Sequence, residues 1–168
     1  MCGVNSRNFF SDVAHIIREE CKERQVIYVS LLRPYERVME GFQETGVKIE
    51  NIFIVDCSSK DSYPIYNHEN AIHLRGQEDL TSIGIAIDRA TKHIEGEKTV
   101  IIGSLGMLFL YNDAKVVLRF MKFLTKKMKS MNIDTILIVT KDDPTGMDEI
   151  NTVKTFCDVV KNIEEVKK

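Results

Sequence analysis

The sequence predicts a three-layer α/β fold with a mostly parallel sheet. Short β-branched runs, VIYVS, NIFIV, TVIIG and TILIV, recur along the chain. Each is separated from the next by at least one helical crossover, and strands alternating with helices build βαβ units whose right-handed crossovers place helices on both faces of the sheet. The run VIIG is apolar up to its glycine, as expected of a central strand buried on both sides. With 168 residues, 43% of them hydrophobic, residues 1–168 read as one domain able to bury a core without metals or disulfides.

The elements follow in order. From Ser6 to Arg24, apolar residues at Phe9, Phe10, Val13, Ile16 and Ile17 mark one helix face, with Ser6 or Asn8 as its cap. Val26–Ser30 is a strand. Pro34 then opens a helix that turns Tyr35, Val38, Met39 and Phe42 inward and ends before Gly46. Asn51–Cys57 is the next strand, followed by the polar loop SSKDSYPIYNHEN and a short extended piece, AIHL. Glu78–Ile94 is helical through Leu80, Ile83, Ile87 and Ala90. The strand TVIIGS, a long helix from Asp113 to Met131, the strand Thr135–Thr140 and a helix over Met147–Thr155 complete the series, and CDVVKNIE supplies a closing strand.

Charge and composition exclude several classes. The formal net charge is −2, so no global field draws in nucleic acid or anionic lipid, and a charged surface must be local. The longest apolar runs are strand-sized and the first residues, MCGVNSRNFF, lack the regions of a signal peptide, so the expectation is a cytoplasmic protein without a membrane partner. Cys2, Cys21, Cys57 and Cys157 form no CxxC pair, which predicts free thiols and no metal site. His68 and His73 stand without a clustered set of acidic or sulfur ligands and read as surface histidines.

The segment VIYVSLLRPYERVMEGFQETGVKIENIFIVDC is more specific. Its strand ending in Tyr-Val-Ser, Pro-opened helix, Gly-ended turn and strand ending in Val-Asp resemble the RecA/KaiC group of P-loop ATPases, above all small archaeal KaiC-like proteins. The likeness continues through AIDRA, VIIGSLGMLFLYNDAKVVLRFMKFL and FCDVV. It implies a RecA/KaiC-like P-loop NTPase fold in a prokaryotic cytoplasm, with a role in signal transduction or in assembly with other KaiC-like subunits.

An ATPase of this group needs three pieces of chemistry that this chain lacks. The phosphate-cradling GxxxxGK[ST] loop corresponds to GVNSRNFF, where Gly3 fits but Asn8, Phe9 and Phe10 replace Gly, Lys and Ser/Thr. Only Met1 and Cys2 precede that loop, so the first strand reads as nearly missing, which exposes a sheet edge. The acidic residue that organises the metal corresponds to Gly103. The acidic pair that positions water corresponds to Leu31 and Leu32, followed by Arg33.

The leading expectation is therefore a non-hydrolysing KaiC-like domain, with no catalytic residues and no cofactor, acting as a regulatory or protein-interaction module. Two alternatives stay open. One is a weak nucleotide binder using Arg7, Ser30, Arg33 and Ser104 around the crevice. The other is an enzyme of unrelated chemistry at Asp56 and Cys57, where a buried structural cysteine is the simpler reading.

One helix carries a further signal. Lys115, Arg119, Lys122, Lys126 and Lys129 recur at spacings of four, three, four and three, which aligns them on one face. Val117, Phe120, Met121, Leu124, Met128 and Met131 lie on the other and read as core. The basic stripe reads as a solvated face or as a docking surface for an acidic protein. Nucleic acid is the less favoured ligand, because no stacking aromatic residue accompanies the stripe. Self-association as a homodimer is also expected, through Phe9, Phe10 and the Leu31–Tyr35 loop.

Overall fold

The computed structural model describes residues 2–4, 8–58, 69–140 and 146–162. Among the described residues seven strands form one sheet: β1 (Cys2–Val4), β2 (Gln25–Ser30), β3 (Ile52–Asp56), β4 (Ala71–His73), β5 (Lys98–Gly103), β6 (Asp134–Thr140) and β7 (Lys161–Asn162). Their order is β4-β3-β2-β5-β6-β1-β7, and every pair is parallel. The four β-branched runs thus lie side by side, as their spacing predicts. From β2 the chain steps outward to β3 in one direction and to β5 in the other. That reversal creates the crevice at which open α/β sheets bind ligands.

The helices are α1 (Phe9–Ile16), α2 (Tyr35–Glu44), α3 (Leu80–His93), α4 (Gly106–Tyr111), α5 (Ala114–Ser130) and α6 (Met147–Lys154). α1 runs into a π-helical turn at Ile17–Cys21. It begins at Phe9, where the Asn8 side chain makes no capping hydrogen bond; Ser6 lies outside the described residues. α3 and α5 are capped where their acidic residues stand: Asp79 accepts from Ser82 N at 2.9 Å, and Asp113 from Lys115 N at 2.9 Å. Each satisfies an amide that the helix start leaves without an internal partner.

Side chains alternate across the central strands into two cores. Ile27, Val29, Val100, Ile102 and Leu137 pack with Ile83, Ile87, Val117, Met121, Leu124, Met128 and Val153 on the α3–α6 side. Val26, Tyr28, Ile54, Ile101 and Ile138 pack with Phe9, Val13, Ile16, Val38 and Phe42 on the α1–α2 side. Each fully buried aliphatic or aromatic side chain contributes about 1.5–3 kcal/mol.

Two sequence expectations are corrected. The first strand is present: β1 is three residues long and sits between β6 and β7, with Cys2 opposite Ile138 and Lys161. A short apolar helix, α4, also stands between β5 and the long helix. Among the described residues no helix is long and apolar enough to cross a membrane.

Candidate functional site

The crevice lies at the C-terminal ends of β2 and β5, where Ser30 stands opposite Gly103 in the ladder. The peptide bond from Gly103 to Ser104 is cis. Leu31 N donates to Gly103 O at 3.1 Å and Cys57 N to Ser30 O at 2.9 Å, which draws the ends of three strands together. Ser30 is spent on the turn that follows: its hydroxyl donates to Arg33 O at 2.6 Å. Leu31 O accepts from the buried Gln77 amide at 2.6 Å. Ser30 and Ser104 are both buried, at 2% and 4% exposure.

The space over Gly103 is filled from within the chain. A Cβ at Gly103 would meet Phe9 Cζ at 3.5 Å and Ile138 at 3.4 Å. The Arg33 guanidinium stacks over Phe10, 5.1 Å from the ring centroid, and over Phe9 at 5.8 Å. Such stacking is favourable because the ring face is electronegative. The aromatic contacts continue edge to face from Phe10 to Phe42 and from Phe42 to Tyr28, with centroids 5.7 and 5.2 Å apart. Phe9 thus covers the end of β5 with an apolar ring, and Phe10 stands edge to face against Phe9 with centroids 5.7 Å apart. Of the four residues expected around the crevice, Ser30, Arg33 and Ser104 are brought to it, and Arg7 lies outside the described residues.

Beside it, Asp56 ends β3 with no exposed surface. Its carboxylate accepts from Tyr35 N at 3.0 Å, from Ser58 N at 2.9 Å and from the Ser58 hydroxyl at 2.9 Å. His73 Nδ1 lies 3.3 Å away. Asp56 thereby ties the start of α2 to β4 and the following loop. His73 is half-buried, with 12% of its side chain exposed, which corrects its reading as a surface histidine; His68 lies outside the described residues. Cys57 is fully buried. Burial, helped by Asp56, pushes its thiol well above the usual range, so it has little of the thiolate character that a nucleophile needs.

The basic stripe occupies the outer face of α5. Lys115, Arg119, Lys122, Lys126 and Lys129 are all exposed, and Lys129 pairs with Asp158 at 2.8 Å. Val117, Met121, Leu124 and Met128 are buried beneath it, whereas Phe120 is half-buried and Met131 is exposed. One expectation changes here. Phe123, 61% exposed, lies one helical turn from both Arg119 and Lys126, so an aromatic ring does border the stripe. The residues expected to mediate self-contact are mostly internal: Phe9, Leu31 and Tyr35 are buried and only Leu32, at 46%, is exposed.

A family model described as a family of unknown function, DUF7504, matches residues 13–162. No protein of curated function matches the sequence. Among solved structures, the fold is similar to the crystal structure of the KaiC-like protein PH0186 from the hyperthermophilic archaeon Pyrococcus horikoshii OT3. The TM-score is 0.62 at 15% identity, over 96% of this chain and 67% of that one. The likeness supports a KaiC-like fold, as expected from the strand order and the Tyr-Val-Ser and Val-Asp strand ends.

Proposed function

We propose that this chain, which belongs to the family of unknown function DUF7504, is a KaiC-like domain that does not hydrolyse nucleotides and serves as a regulatory or protein-interaction module. The observation that carries this reading is the Phe9 ring against Gly103, with Arg33 stacked on Phe9 and Phe10. In an active relative that region would hold phosphate and metal. Here apolar rings stand, and the Arg33 guanidinium beside them is turned onto the rings. The exposed stripe Lys115, Arg119, Lys122, Lys126 and Lys129 supplies the contact surface, and its partner is an acidic protein, another KaiC-like subunit or a second copy of this chain.

The test is thermal unfolding with ATP or ADP, with and without magnesium, alongside a hydrolysis assay. The expected result is no shift and no turnover above buffer. A ligand present at 100 times its dissociation constant stabilises by about 2.7 kcal/mol. A shift of that order that is lost on replacing Arg33 would favour the weak nucleotide binder instead.

A further inference from the structure

α3 and α5 lie side by side and run in the same direction. Gly84 on α3 faces Phe120 on α5, whose Cε2 would stand 3.4 Å from a Cβ at that glycine. Further along both helices, Asp88 pairs with Lys127 at 2.6 Å. Between the helices runs a valley floored by the half-buried Phe120 ring, where Gly84 contributes no side chain. Its rims are apolar. Val116 and Phe123 share a line on α5 with Phe120, at i, i+4 and i+7, yet they are 47% and 61% exposed. On the α3 rim, Ile85, one turn before Asp88, is 49% exposed. Single exposed apolar residues are ordinary, but three on facing helix shoulders beside one aromatic ring form a patch.

A row of cations follows the α5 rim. Arg119 and Lys126 each lie one turn from Phe123, and Arg119 one turn from Val116. Among the described residues Lys115, Arg119, Lys122 and Lys126 have no acidic partner, whereas Lys127 and Lys129 are paired with Asp88 and Asp158. Asp88, between the helices, is held by Lys92 and Lys127 together. Three arguments select the occupant. A helical surface offers no row of free N–H and C=O groups, so an extended chain laid in the valley would bury its own backbone unpaired, while a helix satisfies its own. A second copy docked by the same face about a two-fold axis would set cation against cation, and like charge opposes it. The cations along one rim instead complement carboxylates along one flank of an incoming helix.

We infer that the valley between α3 and α5 binds an amphipathic helix of a protein partner, its apolar face on Ile85, Val116 and Phe123 and a row of carboxylates toward Arg119 and Lys126. Val116 to Lys126 spans about 15 Å of helix, so about three turns of partner cover it. Apolar anchors at i, i+3, i+4 and i+7 supply the affinity, and the charged flank fixes the direction in which the helix lies. The inference rests on reading the chain as an interaction module and names the partner's chemistry.

The full chain is titrated with a capped helical peptide of about four turns, bearing leucine at i, i+3, i+4 and i+7 and glutamate on one flank. Its controls carry lysine in place of glutamate, or two central prolines that break the helix. The glutamate peptide is expected to bind at least about tenfold more tightly than either control. It should lose roughly tenfold or more in affinity with Val116→Ser/Phe123→Ser and, separately, with Arg119→Glu/Lys126→Glu. Circular dichroism checks that each variant is folded, and Ile85→Glu on the other helix is expected to weaken binding independently of α5. No binding by the glutamate peptide at about 1 mM overturns the inference. Binding matched by the proline form, or indifferent to the Val116/Phe123 and Ile85 variants, also overturns it while leaving a charge-driven interaction surface intact. Phe123-dependent docking on phosphatidylglycerol vesicles without peptide binding, or Phe123-dependent dimerisation, overturns it by assigning the valley to another occupant. The nucleotide measurements bear on the non-hydrolysing reading alone, so the two failures are distinguishable.

Discussion

The ring of Phe9 rests against Gly103, with its Cζ 3.5 Å from where a Cβ on that glycine would stand. A methyl fits at this distance, but a carboxylate would be driven between Phe9 and Ile138. Gly103 is not among the glycines with positive φ, so the backbone itself tolerates a side chain. Gly103→Ala is expected to stay within about 1 kcal/mol of the parent. Gly103→Asp should cost about 2–4 kcal/mol, because a charge is buried without a designed partner. Urea denaturation compares the two; equal stability would contradict the packing described.

Arg33 and Phe10 interact through a guanidinium 5.1 Å from a ring centroid. A double-mutant cycle with Arg33→Ala and Phe10→Leu is expected to give a coupling of about 0.5–1 kcal/mol. Zero coupling in denaturant unfolding would mean that the stack contributes nothing to closing the crevice.

Asp88 joins α3 to α5. Hydrogen bonds from Lys127 and then Lys92 hold its carboxyl below the usual range, at N–O distances of 2.6 and 2.7 Å. A carboxyl lowered on folding stabilises the native state above its unfolded pKa, and that contribution disappears as pH falls through the folded one. Asp88→Asn should therefore lower the melting temperature at neutral pH, and the gap to the parent should close as pH drops below about 4. A gap that widens in acid would reverse the sign.

The thiols should differ in reactivity. Burial pushes Cys21 up to about 12 and raises Cys57 further, while Cys157 is only half-buried. With iodoacetamide at pH 8, peptide mass spectrometry should find Cys157 alkylated before Cys21 and Cys57, which react only when the protein unfolds. Early modification of Cys57 would point to an opening of the β3 end.

The elements differ in how far they could be read from residue order. β2, β3, β5 and β6 are compact β-branched runs between polar segments, and that pattern is local. α5 was equally plain, because its buried and basic residues repeat with helical period. α4 is not legible in residue order because GMLFLY offers no polar face by which a periodicity could be recognised. β1 reads as nearly missing because only Met1 and Cys2 stand before Gly3; the strand is held by pairing on both sides.

By itself the sequence determined the layered parallel fold, because the periodicity of apolar residues is a local property. Only the tertiary structure decided what meets at the end of β5, since Phe9, Arg33 and Gly103 come together through packing between a helix, a loop and a strand end far apart in the chain. It also decided that Cys2–Val4 pairs with Ile138–Thr140 on one side and with β7 on the other, because strand register is set by which faces must be buried and not by any one segment's own residues.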